Sequence, residues 1–172
     1  MKTVIAALSL LFVAVVAPCV GQGDDDDSRQ TLAGLTGVYV GVDLTTNGSQ
    51  PNGLTETQLR TDVELKLRQA GIKVLSTEDV TRTPGVPFLF VKVSTLELRG
   101  GAGLYSFSIG VELLQAIQLA RNPSVSGLGR TWNANATYGT FGSGKLGEEV
   151  RRVVRDLTDQ FINAYLAANP KR

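Results

Sequence analysis

Apolar residues follow two periods along this chain. From Val38 to Leu44 and from Tyr105 to Leu119 they alternate with other residues, the two-residue period of a strand with one buried face. Leu59, Val63, Leu67 and Ala70 recur every three or four residues instead, as do Leu146, Val150, Val153, Val154, Leu157, Phe161, Ile162, Tyr165 and Leu166. Those spacings predict two amphipathic helices. Thr55 with Gln58 three residues on has the form of a capping box for the first, and Gly71 closes it. The second runs from Leu146 to Ala168 and stops at Pro170.

Between these landmarks Ile72–Leu75 predicts a short second strand and Phe88–Leu98 a third. Arg99–Gly103 has the composition of a hairpin loop, and Arg121–Gly129 that of another loop. Trp132, Ala134, Ala136 and Tyr138 alternate with Asn133, Asn135 and Thr137 in a fifth strand, which assigns Trp132 and Tyr138 to the core. Strand, helix and strand at the start imply a right-handed crossover between parallel strands. The expected fold class is α+β, in the order β-α-β-β-β-β-α: a mixed, mostly antiparallel five-stranded sheet with two helices on one face. The uncovered face would carry Ser106, Ser108, Glu112, Asn133, Asn135 and Thr137, the candidate partner-binding surface. Parity alone does not assign Lys92 and Ser94 to either face.

The first residues carry a different signal. Lys2 precedes an apolar run from Val4 to Ala17, shorter than the roughly 20 residues of a membrane span, with small residues after it. This is the form of a secretory signal peptide, 1–21. Cys19 leaves a second reading open, a lipid-anchored lipoprotein, although Pro18 stands where such proteins carry a small residue. Asp24–Asp27 lack the spacing of a calcium loop and predict an acidic, disordered spacer over 22–34, followed by one domain over 35–172. The expected destination is the periplasm or the extracellular space.

Composition narrows the chemistry. The 172 residues include 17 basic and 16 acidic side chains, one cysteine and no histidine. Omitting Lys2 and Asp24–Asp27 leaves 16 basic and 12 acidic, a net +4. A disulfide within the chain is excluded, as are His/Cys zinc sites and histidine-based catalytic sets. So modest a charge gives no general reason to bind nucleic acid, and a membrane is implied only if Cys19 is lipidated. Gly139-Thr140-Phe141-Gly142-Ser143-Gly144-Lys145 matches the core of a phosphate-binding loop, but Leu146 stands where a metal-binding hydroxyl is required. Without histidine, acid–base chemistry would fall to Asp, Glu, Lys or Tyr; Asp43, Glu97 and Glu112 lie in strands, where two of them could face each other as a carboxylate pair. Arg151, Arg152 and Arg155 have acidic neighbours at helical spacing, with Glu148–Arg152, Arg152–Asp156 and Arg155–Asp159 as the expected pairs.

The stretches Thr55–Arg68 and Asp159–Leu166 resemble a family of small, secreted, uncharacterised bacterial proteins, a likeness covering most of the chain after the signal. That family has no assigned chemistry, so it supplies no site. The element order is also similar to envelope domains such as the TolB N-terminal domain and LptE. A non-catalytic exported module is expected, needing no cofactor or metal and binding an envelope protein or glycan. The alternative is a small exported enzyme built on carboxylates.

Overall fold

The computed structural model describes residues 24–47, 54–99, 103–134 and 136–170. The proposed signal peptide and Cys19 lie outside the described residues. Five strands form one mixed sheet, and its elements follow mostly from the periods above. β1 (Tyr39–Asn47) leads through α2 (Glu56–Gln69) and α3 (Thr77–Arg82) to β2 (Phe88–Glu97), which pairs with β1 in parallel. β3 (Leu104–Leu119) is antiparallel to β2, and its other edge carries both β4 (Asn122–Asn133) and β5 (Thr137–Gly142), antiparallel again. A short α1 (Asp26–Gln30) precedes the sheet, and α4 (Ser143–Ala168) closes the chain. No helix among the described residues is long and apolar enough to cross a membrane.

α2 and α4 are the two substantial helices, and their apolar stripes account for the core. Leu59, Val63 and Leu67 of α2 and Leu146, Val150, Val154, Leu157 and Phe161 of α4 are buried with Val40, Leu89, Val91, Ile109 and Leu113 of the sheet. Thr55 caps α2 by accepting from the Gln58 N–H at 3.2 Å, and Gly71 takes the left-handed φ of 78° beyond the helix end. Arg151 grips Asp62 through two bonds of 2.7 and 2.9 Å, and Lys66 meets Asp159 at 2.7 Å. These pairs fix the register of α4 against α2.

Three expectations need correction. Residues 24–34 are folded where a spacer is predicted. Asp25 caps α1 in a capping box, Asp24 bonds the Arg29 guanidinium at 2.7 Å twice, and the indole N–H of buried Trp132 donates to Asp24 at 2.9 Å. Leu32 is fully buried. Aspartates that read as a solvated run are satisfying a helix N-terminus and a buried indole.

Residues 72–75 form no strand. Val38 and Val74 make one isolated parallel bridge, after which Ser76 caps α3 by accepting from the Asp79 N–H at 3.1 Å. The parallel crossover therefore joins β1 to β2. The stretch expected as a loop, Arg121–Gly129, falls almost wholly in β4. A two-residue turn at Ala120–Arg121 is enough, because Leu119 pairs directly with Asn122.

Candidate functional site

Paired residues in neighbouring strands share a face, so the register defines the surface opposite the helices. One row across it reads Thr45, Ser94, Ser108 and Tyr138; the next reads Asn47, Leu96, Ser106 and Thr140. These eight line a groove of about 640 Å³, with Thr95, Phe107 and Gly139 beneath them. That volume lies within the range of ligand pockets. Its floor is low because the central side chains are serines, and Tyr138, 73% exposed, stands over one edge. Among the described residues the lining carries no carboxylate, ammonium or guanidinium, although the Thr45 hydroxyl lies 3.4 Å from Asp43 Oδ1 in the next row.

Of the expected surface residues, Ser106 and Ser108 lie in this groove. Glu112 and Asn133 share its face but sit two rows further along, where Gly41, Phe90, Glu112 and Asn133 align. There Glu112 is ion-paired to Lys92 and lies 3.7 Å from Arg130, while Lys92 also sits 5.3 Å from the Phe90 ring centre. Lys92 and Ser94, unassigned by parity, both belong to the open face. Asn135 lies outside the described residues.

Thr137 is on the opposite side, paired with core-facing Ile109, and Tyr138 is correspondingly on the open face beside Ser108. The cause is one extra residue. From Glu112 to Ile109 is three steps on β3, whereas their partners Asn133 and Thr137 are four apart. Such an insertion reverses every later side chain. The clue is in the apolar residues: Trp132 faces the core from an even position and Phe141 from an odd one, stacked on Phe107 at 5.2 Å between ring centres. The insertion hides Tyr138 and Thr140; Thr45 and Asn47 have turn composition and Leu96 is an apolar residue on the open face.

The phosphate-loop match is a strand. Gly139 to Gly142 are paired with Phe107 to Leu104, and α4 begins directly at Ser143 with Gly142 as its N-cap. A curled nest of amides has no room in that backbone. Gly139 answers a packing need: a Cβ there would stand 2.8 Å from the Phe107 ring. The register sets none of the three strand carboxylates opposite another, and Glu97 is the partner of Tyr105. Lys92 is the register partner of Asp43, and Glu112 is engaged by Lys92 and Arg130. Arg152 reaches Asp156 at 3.0 Å as expected but takes Glu149 in place of Glu148, at 2.8 Å. Arg155 lies 3.9 Å from Asp62, since Asp159 is engaged by Lys66.

No protein-family model matches the chain, and no curated protein matches it. It is similar to the hypothetical protein CT253 from Chlamydia trachomatis, at 9% identity and a TM-score of 0.45 over 76% of this chain and 99% of that one. It is similar to a minor lipoprotein from Acinetobacter baumannii, at 11% identity and 0.37 over 77% and 92%. The rare lipoprotein B from Shewanella oneidensis gives 16% identity and 0.36 over 73% and 93%. None of these supplies a residue role.

Proposed function

We propose that this protein is an exported, non-catalytic module of the cell envelope whose open sheet face binds a neutral glycan. The signal-peptide pattern at Met1–Gly21 supports the export. One observation carries the ligand class: among the described residues, the two cross-strand rows line a groove with hydroxyls, one amide, one leucine and an exposed tyrosine, none of them charged. Hydroxyls both donate and accept, which matches the alternating donors and acceptors of a sugar. An aromatic ring beside them offers the apolar face on which the C–H side of a sugar ring packs. Strand-borne side chains are held by the sheet, so little ordering cost falls on binding.

Titration calorimetry with neutral oligosaccharides prepared from bacterial envelopes tests this reading. A single saturable site is expected, weakened about tenfold by Tyr138→Ala and more by Ser108→Leu, which fills the floor. Absence of heat with every oligosaccharide, or binding indifferent to both substitutions, would overturn it.

A further inference from the structure

We propose that the free edge of β4 joins two copies of this chain, pairing antiparallel about Ser126. Among the described residues β4 is ladder-paired with β3 alone, and β3 in turn loses β2 beyond Leu114, with one further bond from the Ala116 N–H to the Gly85 carbonyl at 2.7 Å. The remainder, Ile117 to Gly129, is a two-stranded arm. Seven successive residues of it, Asn122 to Leu128, are exposed, including Val125 at 46% and Leu128 at 58%, and Ile117 opposite them is 40% exposed. A bare two-stranded ribbon is marginally stable in water, which argues for a further strand beside it. Edges that must stay single usually carry lysines, prolines or inward-pointing charges; β4 has Pro123 near its start, and Ser124 to Gly129 carries none of these.

Charge selects the occupant and its direction. Arg121, at the tip of the arm, has no ion-pair partner among the described residues. α1 packs against β4 at the base, where the Thr31 hydroxyl lies 3.4 Å from the Thr131 carbonyl oxygen, and it exposes Asp26 and Asp27. Antiparallel pairing about Ser126 brings Arg121 opposite Thr131 of the second copy, and so to that copy's acidic turn. It also sets Asn122 against Arg130 and Ser124 against Leu128, with no like charges opposed. A parallel arrangement would place Arg121 on Arg121. Because the axis is two-fold, each contact is made twice.

Sedimentation across a concentration series, on the protein purified as its cell exports it, provides the test. A reversible monomer–dimer equilibrium is expected, weakened by salt. Ser126→Lys, which sets two like charges together on the axis, should yield monomers with unchanged circular dichroism. Arg121→Glu should raise the dimer Kd about tenfold, two ion pairs being lost per dimer, and adding Asp27→Arg should restore it. A protein that stays monomeric throughout overturns the proposal, as does a dimer indifferent to Ser126→Lys and to the charge reversal. Monomers that float with anionic phospholipid vesicles would also overturn it, since the arm would then serve a lipid surface.

Discussion

Thr46 and Thr95 are register partners on the helix side of β1 and β2, and both hydroxyls are buried without a hydrogen-bond partner among the described residues. Thr95 is only 3% exposed. An unpaired buried hydroxyl costs more than the hydrocarbon of the same shape. Thr95→Val should therefore raise the unfolding free energy by about 1 kcal/mol in a urea titration. A loss of stability would mean that the hydroxyl has a partner. Asp24 carries the opposite sign. The Arg29 guanidinium, foremost, and the Trp132 indole hold its carboxyl below its ordinary value of 3.8, against the opposing effect of burial. Its contribution is complete above that value and is lost as pH falls through the lowered folded-state pKa, where the unfolded chain binds the proton first. The Arg29 side chain is 43% exposed, so water screens the pair. Asp24→Asn should cost about 1 kcal/mol at neutral pH, with the difference from the native chain fading at the acid end. Trp132 fluorescence follows both unfolding curves.

At the scale of elements, α1 changes the account most. Leu32 lies just past it, fully buried among core residues, and Asn169 at the end of α4 donates to the Leu32 carbonyl at 2.9 Å. Leu32→Ala should cost about 3 kcal/mol in denaturant, whereas a residue in a loose spacer would show no effect. Burial here was hidden from pattern reading because a lone leucine beside four aspartates has no period. The long elements were legible for the converse reason. Tyr105, Phe107, Ile109, Val111 and Leu113 repeat often enough to define one face of β3, and nine apolar positions define the stripe of α4. Short segments failed in both directions: Ile72–Leu75 has strand composition but pairs through a single bridge, Val38 with Val74, and Asn122–Gly129 has loop composition but strand pairing. In β5 the apolar residues are legible only once the extra residue before Thr137 is counted, which hides Tyr138 and Thr140; Thr45 and Asn47 are hidden because they have turn composition. Tertiary pairing decides such cases, and local composition does not report it.

For the whole molecule, the two faces of one sheet divide the work. The helix side holds the core, Trp132 edge-on to Phe161 at 5.3 Å, and the ion pairs that bind α2 to α4. The open side keeps a neutral groove at one end and the Lys92–Glu112–Arg130 group nearer the middle. Charges could have been placed anywhere on an exposed face. Their absence from the eight residues around Ser108 is the observation on which the glycan proposal rests. The arm of β4 lies beside Ile117 and the groove at the other end of β3 around Ser106 and Ser108, so pairing on the arm would leave the groove open. The most direct measurement is amide shift mapping by nuclear magnetic resonance during addition of a neutral envelope oligosaccharide. The account predicts saturable shifts gathered on Thr45, Ser94, Leu96, Ser106, Ser108, Tyr138 and Thr140, with the helices unmoved; shifts confined to α2 and α4, or none at any concentration, would contradict it.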